Sequence, residues 1–97
     1  MPQDKDALAI DAMRAEIDGI DSELLALFNR RAECALTIGR IKQQNGQPIH
    51  VPERERAVLA RLEGCNRGPL SNAAIGRIFR QLMEEMKHLE HQVATQK

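Results

Sequence analysis

The stretch AIDAMRAEIDGIDSELLALFNRRAECALTIGRIK, residues 9–42, decides the fold. Its apolar residues recur at spacings of three and four: Ile10, Met13, Ile17, Ile20, Leu24 and Leu27, then Cys34, Ile38 and Ile41. That spacing keeps one face of an α-helix apolar over many turns, the pattern of a heptad seam. Leu25, Phe28, Ala32 and Ala35 widen the face. The pattern predicts a helix from about Ala7 to Gln44. It closes at Asn45-Gly46, where glycine can take the left-handed cap, with Pro48 just beyond. A helix of that length spans about 55 Å, whereas a compact domain of this size has a radius of gyration of only about 12–13 Å. The seam cannot be buried within one subunit, and a second copy alongside is expected to cover it.

Two shorter helices follow. Pro52 suits a first helical turn, and Glu53 and Glu55 lie at the end of the helix dipole that favours anions. Val58, Leu59 and Leu62 give this helix an inner face, and it stops in the loop Cys65-Asn66-Arg67-Gly68-Pro69. Ser71 is a candidate N-cap for a third helix. That helix carries Ile75, Ile78, Phe79, Leu82, Met83, Met86, Leu89 and Val93 at helical spacing. The fold class is therefore all-α, three helices per subunit, in one domain over residues 1–97. Its core runs from about 8 to 93, and the tails, Met1–Asp6 and Ala94–Lys97, are expected to fray.

Composition narrows the function classes. With 97 residues there is room for one domain, and one this small gains from sharing a core with a partner. Phe28 and Phe79 are the only aromatic residues, which disfavours a strand-rich fold and leaves nothing for bases to stack on. Lys plus Arg is 14 and Asp plus Glu is 14, so the basic excess of a nucleic-acid-binding protein is missing. No apolar run is long enough to span a membrane. Met1 to Asp11 is polar and acidic, unlike a signal peptide. Cys34 and Cys65 form no metal-ligand pattern and are expected to be buried small apolar residues of a reducing compartment, which makes the chain cytoplasmic. His50, His88 and His91 share no metal-ligand spacing, and there is no glycine-rich phosphate loop.

The informative residues are charges where the pattern calls for apolar side chains. Arg31 falls on the first helix's seam, between Leu27 and Cys34, and Lys42 returns to nearly the same face eleven residues on. Arg14 flanks the seam near its start. Glu90 sits on the third helix's stripe of Phe79, Met83, Met86 and Val93, while Glu55 shares a face with Val58, Leu59 and Leu62 beside Arg54. Any one of these could snorkel at the margin of a bundle or fix register between subunits. Taken together, three or four cations aimed into one small core exceed what two carboxylates pair. The surplus points to a bound anion with more than one carboxylate, the group that arginine grips bidentately.

In this arrangement the chain resembles the AroQ-class, all-helical chorismate mutases. The likeness runs from about Ala9 to Val93. It is carried by Met13-Arg14-x-x-Ile17-Asp18-x-Ile20-Asp21-x-x-Leu24-Leu25, Asn29-Arg30-Arg31-Ala32 and Ile38-Gly39-x-x-Lys42, then Pro52-Glu53-Arg54-Glu55 and Ile78-Phe79-Arg80 through Leu89-Glu90. The Pro52–Glu55 segment and the Asn66-Arg67-Gly68-Pro69-Leu70 loop look most like the mutase portion of bifunctional chorismate mutase–prephenate dehydratases. The resemblance implies an intertwined homodimer with two equivalent sites and the Claisen rearrangement of chorismate to prephenate, on the route to phenylalanine and tyrosine. That reaction takes no metal, cofactor or nucleophile. It can be driven by holding the dianion folded and stabilising charge as the ether bond breaks.

Carried over residue by residue, the resemblance assigns Arg14 to the arginine that reaches into the partner's site and Arg31 to the second carboxylate-binding arginine. Lys42 matches the lysine that contacts a substrate carboxylate and the ether oxygen. Glu55 matches the glutamate that holds the ring hydroxyl, with Arg54 its neighbouring site arginine. Glu90 stands where members carry Gln or Glu aimed at the ether oxygen. A carboxyl group is useful there only as a protonated donor, a form favoured by burial against Met83 and Met86. Two positions depart. Val51 replaces a residue that is often polar near the ring hydroxyl, and Met86 replaces a Ser or Cys near the ring carboxylate; both are expected to weaken substrate binding. An isochorismate-pyruvate lyase would use the same fold and several of the same cations, and a non-catalytic helical dimer would keep the fold alone. Pro52-Glu53-Arg54-Glu55 favours the mutase.

Overall fold

The structure, a computed structural model, describes residues 4–95. It contains α1 (Lys5–Asn45), α2 (Pro52–Cys65) and α3 (Asn72–Thr95), and no strand among the described residues. The chain divides into two compact units, the first ending at Arg31 and the second beginning at Ala32.

The first unit is the N-terminal part of α1. Its start is set by Asp4, whose Oδ1 accepts the Asp6 N–H at 2.9 Å while its carbonyl accepts the Leu8 N–H at 3.1 Å. Asp4 thus caps a helix that starts at Lys5, two residues before the expected start at Ala7, so Lys5 and Asp6 are helical. The rest of that expected tail, residues 1–3, lies outside the described residues. From Leu8 to Arg30 every residue is exposed in the single chain, and the seam residues Met13, Ile17 and Leu27 each leave more than half of their surface open.

The second unit holds the remainder of α1 with α2 and α3. α1 ends on a Schellman cap: Gly46, at φ 67°, lets its own N–H reach the Gln43 carbonyl and the Gln47 N–H reach the Lys42 carbonyl at 2.9 Å. α2 starts from Val51, whose carbonyl accepts the Arg54 and Glu55 N–H groups at 3.0 and 3.3 Å, with Pro52 in the first turn. Asn66 organises the loop between α2 and α3. Its amide donates to the Leu70 carbonyl and to Asn72 Oδ1, both at 2.8 Å, and its oxygen accepts the Gly68 N–H. Ser71 then caps α3, its Oγ accepting the Ala74 N–H at 3.0 Å. α3 continues through Ala94 and Thr95, and residues 96–97 lie outside the described residues.

α2 packs against α3, and Val58, Met83 and Met86 are buried along with Ala35 of α1. Cys34 and Cys65 are both free and exposed, contrary to the expectation that they fill the core. Cys34 lies on the uncovered face of α1, and Cys65 is the last residue of α2, where the chain already turns into the loop.

Gly39 lets α3 come close to α1. A Cβ added there would stand 3.2 Å from the Glu90 Cα and 3.3 Å from its Cβ and Cγ. Gly64, on α2, would meet nothing within 4 Å. The same substitution should therefore act oppositely at the two sites. Gly64→Ala gains helix propensity, up to about 1 kcal/mol. Gly39→Ala gains as much but must push back the α3 backbone, and overpacking costs about 1–3 kcal/mol. Urea unfolding should show Gly64→Ala stabilised and Gly39→Ala destabilised. Equal gains would mean that α3 yields at Glu90 without cost.

Candidate functional site

The close approach at Gly39 brings two of the sequence-predicted residues together. Lys42 lies one turn beyond Gly39 on α1, and its Nζ stands 3.9 Å from Oε2 of Glu90. The carboxylate belongs to a residue only 8% exposed, lying on α3 beyond Met83 and Met86, which are themselves buried. Lys42 also donates to the Ile49 carbonyl at 3.1 Å. That bond ties the C-terminal end of α1 to the loop leading into α2. An ammonium has three donors, and one points at a carbonyl while another faces Glu90. The Lys42 side chain is four-fifths buried.

Glu55 forms a second focus in the first turn of α2. His50 Nε2 lies 3.3 Å from its Oε1, and Lys87 Nζ lies 3.4 Å from its Oε2. Lys87 is shared with Glu84, one turn earlier on α3, at 2.9 Å. The hydrogen bond with Glu84 above all, opposed by partial desolvation and reinforced by Glu55, holds the Lys87 ammonium above the usual lysine pKa. The same bond and the lysine's charge hold Glu84 below the usual carboxylate range. Lys87 and Glu90 are three residues apart on α3, hence on one face. The two foci thus share a helix face.

The other expected site residues are placed as follows. Val51 is partly buried at the cap of α2, and Met86 is buried one turn before Glu90. Arg54, in the first turn of α2, is exposed. Arg14 and Arg31 belong to the first unit, where Arg14 is exposed and Arg31 is partly buried. His50 and Lys87 were not among the expected site residues. Lys87 flanks the stripe of Met83, Met86 and Glu90, where a cation breaks no pattern, so spacing gave no signal for it. His50 had none either, since its reach to Glu55 depends on how the chain turns into α2. Among the described residues no group of three or more His, Cys, Asp or Glu side chains could hold a metal ion, and no helix is long and apolar enough to cross a membrane.

The sequence pattern of the chorismate mutase type II family matches residues 13–91. The bifunctional chorismate mutase/prephenate dehydratase of Neisseria gonorrhoeae is 42% identical over 90 residues, which make up 93% of this chain and 24% of that protein. The chain thus spans about a quarter of the length of such bifunctional relatives. The chorismate mutase of Methanocaldococcus jannaschii is 36% identical over 81 residues, 82% of each chain. Among solved structures, a chorismate mutase from Thermus thermophilus superposes with a TM-score of 0.85 at 32% identity, covering 86% of this chain and 94% of that one. One from Helicobacter pylori, in complex with prephenate, gives 0.84 at 29% identity, covering 92% and 97%. A family pattern that spans residues 13–91, together with a relative sharing more than a third of its aligned residues over most of both chains, makes this chain a member of the chorismate mutase type II family.

Proposed function

We propose that the chain catalyses the Claisen rearrangement of chorismate to prephenate, working in the cytoplasm as a homodimer. The observation that carries the reading is the pair formed by Lys42 and the buried Glu90 carboxyl 3.9 Å away. An ammonium and a carboxyl group converging on one point suit an oxygen that gains negative charge as its bond to carbon breaks. Lys42 donates to that ether oxygen and to a substrate carboxylate. Glu90 in its acid form donates to the same oxygen; in its ionised form it would repel the developing charge. Arrival of a dianionic substrate beside Glu90 favours the acid form, while Lys42 favours the ionised one.

The remaining roles follow the chemistry of the side chains. Glu55 accepts the ring hydroxyl, with Arg54 alongside, and Arg31 and Arg14 grip carboxylates. Arg14 acts from the partner subunit. The exposed seam of α1 supports the dimer, because about half of the surface of Ile10, Met13, Ile17, Ile20 and Leu27 is open in the single chain, and covering apolar surface contributes about 25 cal/mol per Å². Val51 and Met86 supply no side-chain hydrogen bond, so substrate binding is weaker than it would be with polar residues there. No step calls for a metal, a cofactor or a nucleophile.

The test is disappearance of chorismate with the product identified. Prephenate supports the mutase; release of pyruvate from isochorismate would identify a lyase, and inertness toward both would leave a non-catalytic dimer. Within that assay, wild-type turnover should fall as pH rises and Glu90 ionises. Glu90→Gln keeps a permanent donor, so it should retain activity and flatten the profile. Glu90→Ala should lose about a hundredfold or more, the usual loss for one such donor. A Glu90→Gln profile that still declines like wild type would remove Glu90 from the chemistry.

A second experiment addresses the dimer. Arg14→Ala and Arg31→Ala should each be nearly inactive. A heterodimer mixing the two should regain activity in one of its two sites, because one site keeps both arginines and the other loses both. Sedimentation should show a dimer at micromolar concentration. No recovery after verified subunit exchange would confine Arg14 to its own subunit.

A further inference from the structure

We infer that Lys87 is a positioning residue for Glu55, fixing the carboxylate that receives the substrate's ring hydroxyl; the inference rests on the mutase reading above. Its basis is the way each Glu55 oxygen is held. Oε1 faces His50 Nε2 at 3.3 Å and Oε2 faces Lys87 Nζ at 3.4 Å. One partner comes from the loop before α2 and the other from α3, so the carboxylate is held from two sides. A carboxylate offers about four lone-pair sites, and two remain for a hydroxyl donor.

Lys87 suits this task because it is itself held. A lysine side chain carries about 2 kcal/mol of rotamer entropy and seldom positions anything unaided. Here its side chain is only 21% exposed, and its ammonium is drawn to Glu84 at 2.9 Å on its own helix. Glu84 therefore fixes where the ammonium stands before Glu55 meets it. The charge balance decides between this role and that of another anion clamp. One ammonium stands between two carboxylates, so the Glu55–Lys87–Glu84 group is net negative and does not attract a substrate carboxylate. Partly exposed ion pairs contribute little stability, so the contact's main effect is on the direction of the Glu55 carboxylate.

A double-mutant cycle tests the inference. Lys87→Met should raise KM for chorismate about three- to tenfold with kcat nearly unchanged, because a hydroxyl contact made in both ground and transition states is uniform binding. The melting temperature should barely move. Lys87→Arg should restore most of the loss, and Glu84→Gln should show a smaller change in the same direction. In a Glu55→Ala background Lys87→Met should have no further effect on kcat/KM. A turnover-independent reading comes from the Lys87 ammonium titration, followed by NMR on 15N-lysine-labelled protein, which should move down in Glu55→Gln. Additive losses in the cycle, or a Lys87 titration indifferent to Glu55, overturn the inference while leaving an active wild type and the mutase reading intact. A wild type that leaves chorismate unchanged overturns both.

Discussion

Burying a carboxylate costs several kcal/mol unless a cation or a proton compensates, and the second unit is arranged around one such group. Glu90 sits beside Met83 and Met86, and α1 approaches it so closely that a Cβ at Gly39 would stand 3.2 Å from the Glu90 Cα. A larger residue at position 39 would hold the helices apart and lengthen the path from Lys42 to Glu90. Lys42 in turn donates to the Ile49 carbonyl, which draws the loop toward the end of α1 and leads the chain into α2 at Val51. One glycine contact thus sets the spacing of the ion pair, and the ion pair's lysine sets the path of the next loop. Packing and electrostatics are the same constraint here.

The seam of α1 obeys a different logic. Its apolar residues follow helical spacing without interruption from Ile10 to Leu27, yet within the first unit no residue from Leu8 to Arg30 is buried. Periodicity alone read the helix, because a 3.6-residue repeat needs only sequence order to be seen. The end of the helix was equally legible, since Gly46 takes the positive φ that its position predicts. The start was read two residues late, because it is set by Asp4, a polar cap outside the apolar pattern. Ser71 was recognisable because a hydroxyl three residues before a free N–H is a local relation.

What escaped the sequence is non-local. Lys87 and Glu55 are 32 residues apart, and nothing in spacing tells which rotation of α3 turns Lys87 toward α2 rather than outward. His50 faces Glu55 across a helix start, where the path of the chain, not a repeat, decides who meets whom. Cys34 was misjudged for a related reason. A small apolar side chain on a seam is buried only if something covers the seam, and residue type cannot say whether the cover belongs to the same chain. Lys42 and Glu90 lie 48 residues apart and were still identified, because each broke its own helix's apolar pattern. A breach of periodicity is visible in sequence; a contact that breaks no pattern is not.

The two departures from the family's usual residues also have a constructive side. The proposed assignment puts Met86, without a polar side chain, near a ring carboxylate, but Met86 lies one helical turn before Glu90 and is itself only 8% exposed. An apolar neighbour there withholds water and polar partners that would stabilise an ionised Glu90. A Ser in its place would add a hydrogen bond toward substrate and, at the same time, a hydroxyl able to favour the carboxylate form. At Val51 the carbonyl is engaged by the N–H groups of Arg54 and Glu55, so its backbone is already committed to starting α2 and to placing Glu55, the residue proposed to meet the ring hydroxyl. In this reading the site gives up contacts at its rim. What it keeps is a Glu55 held from two sides by His50 and Lys87, and a Glu90 buried with Met83 and Met86.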